Sequence, residues 1–277
     1  HGPGAGRGAG GGRVSAWTLT HGDCLDPVTG LASLADRSVD HVICDPPYEA
    51  EAHTEGRRIK TRGGGGDYGT TGACVLDFAP ITEDVRAAVA VQCARLTQRW
   101  VIVFCQVEAV AAWRNALIAA GLSYRRTCAW LKSDAQPQMS GDRPGMGYES
   151  IVCAHAPGRS RWNGGGRRGV YETARASTIE NRPALHMTEK PLPLMTALVR
   201  DFTDHGETIL DPFAGSGTTG VAAVQNGRRF IGWERDDRYH AVASKRLGEA
   251  REQPGLALGP KVRPAKTADM FGEETKP

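Results

Sequence analysis

The segment Thr208-Ile209-Leu210-Asp211-Pro212-Phe213-Ala214-Gly215-Ser216-Gly217-Thr218-Thr219-Gly220 constrains the fold more than any other stretch of the chain. A short apolar run stops at Asp-Pro, a glycine-rich turn follows, and a helix-compatible stretch begins. Glycines at 215 and 217 permit a tight turn and let the backbone approach a ligand with no Cβ in the way. The helix that follows offers free N–H groups to a negative or polar group. The next apolar run, 229–234 (RFIGWE), ends on Glu234, an acidic residue able to bind ribose hydroxyls. Gly215-x-Gly217-x-x-Gly220 matches the dinucleotide fingerprint. On spacing alone, a nicotinamide or flavin dinucleotide and a tight turn with no ligand both stay open.

The rest of the chain repeats the alternation of strand and helix. Residues 14–22 contain an alternating apolar pattern and are expected to form a first strand. Residues 39–44 (VDHVIC) read as a strand that ends at Asp45, because Pro46-Pro47 cannot continue a central strand. Ile81, Val85, Val89 and Cys93 recur at helical spacing and predict a helix over 81–98. A buried strand at 100–105 (WVIVFC), a helix over 107–120 ending near Gly121, and strands at 124–131 and 148–154 follow. Towards the end come a helix at 190–204, a strand at 207–211, a loop and helix at 214–227, and a charged helix at 236–250. Residues 156–185 are rich in Gly and Arg and show no clear core pattern. Together these elements predict an α/β fold with a doubly wound, Rossmann-like sheet.

Three segments fall outside that pattern. Residues 49–77 hold four consecutive glycines and little periodicity, and read as a long loop. Residues 1–13 read as a flexible leader, and 251–277, dominated by Pro, Lys and Glu, as a disordered tail. No apolar run reaches the roughly 18 residues of a membrane span, so no membrane partner is expected. The seven cysteines are odd in number and include no C-x-x-C pair, which argues against a disulfide framework and against a metal site. They read as reduced core thiols, suited to a reducing cytoplasm. The net charge of +3 is uninformative, but 57–62 (RRIKTR) and 143–175 are arginine-rich, which suits a polyanion contacted on one face.

Asp45-Pro46-Pro47-Tyr48 carries the candidate chemistry. Its chance occurrence in a chain of this size is on the order of one in a thousand, from average residue usage. An exocyclic amino nitrogen of a base is a poor nucleophile, because its lone pair is delocalised into the ring. The Asp45 carboxylate and the Pro46 carbonyl can each accept one amino hydrogen, and Pro46 and Pro47 stiffen the turn that holds them. Tyr48 offers an aromatic face for an extruded base. The position also fits, since ligands of open α/β sheets bind beyond the carboxyl ends of strands. Two features then move the glycine loop from a dinucleotide to S-adenosylmethionine. Asp211-Pro212-Phe213 brings a carboxylate towards a cationic ligand group, and the loop comes late in the chain, after a separate D-P-P-Y element.

With these motifs, over about residues 16–248, the chain resembles the amino-group DNA methyltransferases of the β-type arrangement. There D-P-P-Y precedes F-x-G-x-G, with a target-recognition region between. The resemblance implies a catalytic part at 14–132, recognition at 133–185 and a cofactor-binding part at 186–250. It implies that Gly22-Asp23-Cys24 lines the cofactor's adenine, and that Thr188 and Lys190, in His186-Met187-Thr188-Glu189-Lys190-Pro191, stand beside its methionine end. Position 187 is Met where proline is usual. It further implies Glu234 as the ribose ligand and Asp211, Phe213, Ala214, Gly215, Ser216 and Gly217 as the cofactor loop, with Asp45 also facing the cofactor. Cys24 is a lining residue, since direct in-line transfer needs no covalent nucleophile. As alternatives, Lys190 can be a solvated lysine at a helix start and Asp23 a turn residue.

The expected activity is direct methyl transfer from S-adenosylmethionine to adenine N6 of a flipped base in double-stranded DNA. D-P-P-Y leans to adenine within the family. Cytosine N4 is the alternative, and RNA, protein or small-molecule amino groups are more remote. Arg57, Arg58, Lys60 and Arg62 are expected against phosphates near the flipped base, and Arg143, Arg159, Arg161, Arg167, Arg168 and Arg175 in the recognition region. Trp162 can wedge a base step or pack. Because the recognition region is short, a homodimer is expected. A cognate restriction enzyme and a bacterial or phage-encoded, nucleoid-associated setting complete the picture.

Overall fold

The computed structural model describes residues 16–48, 80–135, 141–142, 144–179 and 189–252. Among them are eight strands: β1 (Trp17–His21), β2 (His41–Cys44), β3 (Trp100–Cys105), β4 (Ser123–Lys132), β5 (Tyr148–His155), β6 (Val170–Thr173), β7 (Thr208–Asp211) and β8 (Arg229–Glu234). They form one sheet in the order β1-β8-β7-β2-β3-β5-β4-β6. Every neighbouring pair is parallel except those of β5, which runs antiparallel to both β3 and β4. The helices are α1 (Glu83–Leu96), α2 (Val110–Ala119), α3 (Ala176–Ile179), α4 (Leu192–Phe202), α5 (Thr218–Gln225) and α6 (Asp237–Glu252).

The centre of the sheet explains the apolar runs. β2, β3 and β7 are buried at every position, as strands covered on both faces must be. Their side chains alternate between two cores. Val42, Cys44, Val101, Val103 and Cys105 share a cluster with Val89 and Leu96 of α1 and Trp113 and Leu117 of α2. Ile43, Ile102 and Phe104 share the other with Leu194 and Leu198 of α4, Val221 and Ala222 of α5 and Leu247 of α6. The molecule is thus a three-layer, doubly wound sheet. Thr82 caps α1 by accepting a hydrogen bond from the Val85 amide at 3.3 Å, with Glu83 and Asp84 in the favourable first turn.

Two elements depart from the sequence reading. β6 and the short α3 lie within 156–185, where no core pattern is visible. Only Tyr171 of β6 is buried, so a four-residue edge strand leaves almost no periodic trace. Moreover, β5 and β6 both lie within 133–185, the segment expected to carry recognition, yet both are strands of the main sheet. No helix among the described residues is long and apolar enough to cross a membrane. Cys24, Cys44, Cys93, Cys105, Cys128 and Cys153 are all buried free thiols. Cys74 lies outside the described residues.

The chain order reverses between β7 and β2. From β2 the chain goes on to β3 on one side, and from β7 to β8 on the other. The parallel ends of β2 and β7 therefore flank a crevice at the switch point, where ligands of such sheets bind.

Candidate active site

Asp45 follows the last residue of β2 and Asp211 is the last of β7, so both sequence motifs emerge at that crevice. They line one cavity of about 390 Å³, within the range of small-molecule sites. Asp23, Cys24, Asp45, Pro46, Pro47, Tyr48, Lys190, Asp211, Phe213, Ala214, Gly215, Ser216 and Glu234 all line it. Among the described residues no group of His, Cys, Asp and Glu has the makings of a metal site.

Lys190, just before α4, reaches across to the catalytic turn. Its Nζ hydrogen-bonds Asp45 Oδ2, donates to Tyr48 OH at 3.2 Å and lies 3.3 Å from Glu149 Oε2. It also sits 5.3 Å from the Tyr48 ring centroid and 5.2 Å from that of Phe104. Lys190 is buried, which removes the reading of a solvated helix-start lysine. Burial opposes its charge, but Asp45 and Glu149 outweigh it and hold the ammonium above its ordinary range. The Tyr48 hydroxyl donates to Glu149 Oε2 at 2.6 Å.

The second Asp45 oxygen is the telling atom. Oδ1 is buried and has no hydrogen-bond partner among the described residues. A buried acceptor left open is costly unless a ligand completes it. Burial raises the Asp45 carboxyl above the ordinary aspartate range, and the charge of Glu149 adds to this while Lys190 opposes it.

The glycine turn is built as the motif demands, although its glycines divide their work. Gly215 and Gly217 have φ of 53° and 81°, in the left-handed region. A Cβ on Gly217 would lie 2.9 Å from Ala243 Cβ of α6, and one on Gly220 2.7 Å from the Phe230 ring and Leu247. These two glycines therefore admit helix and strand packing, and not the close approach to a ligand read for Gly217. Glu234 accepts from the Gly215 amide at 2.8 Å through Oε2 and from the Asp236 amide at 2.8 Å through Oε1. Each oxygen keeps acceptor capacity for a hydroxyl. Asp211 accepts from the Phe213 amide at 3.0 Å, and burial pushes its carboxyl up to about 7. Asp23 Oδ1 accepts from the Leu25 amide at 2.8 Å, the role of a turn residue on the cavity wall. Burial pushes the Cys24 thiol up to about 12, so it lines the cavity without being a nucleophile.

Three residues were missed in the sequence. Glu149 of β5 joins Tyr48 and Lys190, and its Oε1 lies 2.6 Å from Lys132 Nζ of β4. Arg246 of α6 donates to Ser216 O at 2.8 Å, Ser216 Oγ at 3.0 Å and Thr218 Oγ1 at 3.2 Å, and pairs with buried Glu189 at 3.1 Å. An acid within the apolar run of β5 was the available signal for Glu149.

The arginines are scattered. The Arg161 carbonyl accepts from the indole of Trp100, the first residue of β3, and Arg161 pairs with Asp204 at 2.8 Å. Arg159 adjoins it in a shallow surface recess with Arg99. Both stand at the amino end of β3, whereas Asp45 follows the carboxyl end of the parallel β2, so the sheet separates them from the cavity. Arg159 and Arg161, both expected to contact DNA, thus stand at the opposite end of the sheet from the catalytic turn. Arg167 pairs with buried Asp201, which also accepts from Tyr171 OH at 3.0 Å, although the Arg167 side chain itself is exposed. Arg168 is exposed. Trp162 packs against the core that includes Phe202. Arg175, by contrast, follows the carboxyl-end strand residue Thr173 and is fixed by Asp134 at 3.1 Å. Arg57, Arg58, Lys60, Arg62, Arg143 and Thr188 lie outside the described residues.

A doubly wound sheet with an acidic tetrapeptide and a glycine turn at its switch point is the architecture of the S-adenosylmethionine-dependent DNA methyltransferases. The family model for N6/N4 DNA methylases matches residues 39–245, and the chain belongs to that DNA methylase family. The type II methyltransferase M.HinfI of Haemophilus influenzae is 26% identical over 283 residues, covering 90% of this chain and 75% of its own. The M1.HpyAVI–SAM complex superposes with a TM-score of 0.62 at 23% identity, over 83% of this chain and 98% of that one. The cytosine-N4-specific PvuII DNA methyltransferase gives 0.61 at 14% identity, over 88% and 95%. S-Adenosylmethionine is the cofactor of the family, and the cavity residues fit it: a carboxylate with acceptor capacity left for hydroxyls at Glu234, a buried carboxylate at Asp211, and an open acceptor at Asp45.

Proposed function

We propose that the protein transfers the methyl group of S-adenosylmethionine to N6 of an adenine flipped out of double-stranded DNA. The observation that carries this reading is the open, buried Asp45 Oδ1 on the cavity wall, with its other oxygen held by Lys190. Bound at the glycine turn, Asp211 and Glu234, the cofactor supplies an electrophilic methyl group. Asp23, Cys24, Phe213, Ala214 and Ser216 shape the pocket around it, with Thr188 beside Lys190 in sequence.

Asp45 Oδ1 accepts one hydrogen of the amino group, and the Pro46 carbonyl the other. This localises the nitrogen lone pair towards the methyl. Tyr48, anchored through its hydroxyl, stacks on the extruded base. Methyl transfer leaves an extra proton on the nitrogen. Asp45 Oδ1 is the acceptor within reach, and its raised proton affinity suits that task. The Asp45 of D-P-P-Y favours adenine, as the family's cytosine-N4 members lean to serine there. Cytosine N4 is the second reading, favoured by the PvuII likeness.

Duplex contacts belong at the carboxyl end of the sheet. Tyr48 and Pro80, which bracket 49–79, both line the cavity, and this supports the assignment of Arg57, Arg58, Lys60 and Arg62 to phosphates beside the flipped base. Arg175 belongs with that end. With β5 and β6 in the sheet, little chain is left for recognition. We therefore propose a homodimer on DNA, checked by light scattering with and without duplex, and a partner restriction enzyme. Incubation with unmethylated DNA, nuclease digestion and mass analysis of the nucleosides tests the base: N6-methyladenine is expected, N4-methylcytosine supports the second reading, and neither overturns both.

A further inference from the structure

We propose that Glu149 and Lys132 are positioning residues of the methyl transfer, holding Tyr48 and Lys190 in place and setting the charge state of Asp45. The inference rests on the methyl-transfer reading above and adds two residues that no motif supplies. β4 and β5 pair antiparallel, with Trp130 opposite Glu149 and Leu131 opposite Tyr148, which brings Lys132 and Glu149 to the catalytic end of the sheet. There the charges alternate along one line: Asp45, Lys190, Glu149, Lys132. Glu149 Oε2 serves both the Tyr48 hydroxyl at 2.6 Å and Lys190 Nζ at 3.3 Å, while Oε1 faces Lys132 Nζ at 2.6 Å. The Lys132 ammonium lies 5.0 Å from the Trp130 ring centroid, and the Trp130 indole donates to Thr173 Oγ1 at 2.8 Å, which ties the ladder to β6.

A fold alone does not call for this. Buried ion pairs add little net stability over apolar residues of the same size, because desolvation offsets the attraction. The geometry instead meets a requirement of the reaction. Asp45 must stay a carboxylate to accept the amino hydrogen, although it is buried. The groups acting on it or on its neighbours are Lys190 before α4, Glu149 of β5, Lys132 of β4, Tyr48 of its own turn, Asp211 of β7 and Cys44 of β2. Of these, Lys190 and Lys132 favour its charge and Glu149 disfavours it. Glu149 is itself opposed by burial, yet the two lysines hold it below the ordinary range, so it stays an anion. The Glu149–Lys132 pair thus balances the field that Asp45 feels.

The sign of each deletion follows. In Glu149→Gln a negative neighbour is lost, the proton affinity of Asp45 falls, and the acid limb of kcat/KM moves to lower pH. In Lys132→Met the negative neighbour keeps less compensation, and the limb moves to higher pH. Shifts of roughly half a pH unit or more are expected for charges this close. Because Tyr48 and Lys190 lose their anchor in Glu149→Gln, its kcat at the optimum falls by about ten- to a hundredfold, the cost of misplacing reacting groups by an ångström or less. Affinity for S-adenosylmethionine, measured by calorimetry, stays within about threefold, as neither residue lines the cavity.

The experiment measures pH profiles of methyl transfer to unmethylated DNA of mixed sequence for the full chain, the two single variants and the double variant. Opposite shifts in the singles, and a limb near the wild-type position in the double, are the expected result. The double variant strands no charge, so it carries the test if Lys132→Met fails to fold. Shifts in the same direction, unmoved limbs, or a loss confined to cofactor affinity overturn the positioning role while leaving the methyl-transfer reading intact. Absence of transfer by the wild-type protein overturns the reading on which it rests.

Discussion

Asp211 illustrates how a residue is made useful by being placed badly for itself. It ends a fully buried strand, its exposure is 2%, and burial holds its proton up to about 7 against the help of Thr219 and the Phe213 amide. A cation entering the cavity removes that penalty, so affinity for S-adenosylmethionine should rise as pH increases through about 7 and then level off. The stability of the ligand-free protein has the opposite dependence. Because the folded value lies above the ordinary 3.8, the contribution of Asp211 is fully present below about pH 4 and is lost as pH rises through about 7. Asp211→Asn should therefore raise ligand-free stability at pH 8 by about 1–3 kcal/mol, with a smaller gain at pH 6, while weakening cofactor binding. Thermal melts at the two pH values and a cofactor titration check it.

At the scale of elements, the turn between β7 and α5 is held from outside. Arg246 reaches from α6 to the Ser216 carbonyl and the hydroxyls of Ser216 and Thr218, and its pairing with Glu189 ties the same point to the segment carrying Lys190. Gly217 lets α6 come that close. Gly217→Ala adds a Cβ at φ 81° and at 2.9 Å from Ala243, so two penalties combine. Urea unfolding should show a loss of about 2–4 kcal/mol, larger than a surface alanine substitution gives. The same arrangement explains why the fingerprint glycines matched a dinucleotide pattern: the spacing answers to helix–sheet packing, which different nucleotide-like ligands share.

For the whole molecule, the cavity lies at the end of the sheet where β2, β7 and β8 terminate. Arg159 and Arg161 lie at the other end, with Arg161 paired to Asp204. A double Arg159→Ala/Arg161→Ala variant should keep its affinity for duplex DNA within about twofold and leave the salt dependence of binding unchanged. Fluorescence anisotropy over a salt series measures both. A flatter salt slope would seat part of the duplex on the far end. The charge pattern in sequence could not make this distinction, because arginines close along the chain in 159–175 are spread over the length of the sheet by β6 and the loop that precedes it.

Much was legible before any fold was known. The β-branched runs of β2 and β3 declare buried central strands, because only a strand covered on both faces tolerates apolar side chains at every position. The two motifs announce themselves through residue types that chance seldom assembles, and the residues of both meet in one cavity. Local chemistry determined these, since a proline-stiffened turn and a left-handed glycine need only their own neighbours. The tertiary structure alone decided the rest. Glu149 reads in sequence as an acid in a strand; its contact with Tyr48 spans 101 residues and exists only because β5 is inserted antiparallel between β3 and β4. Lys190 became the partner of Asp45, 145 residues away, for the same reason: the sheet brings the segment before α4 over the end of β2. Charges separated so far along the chain carry no shared periodicity, so their pairing is a property of the fold.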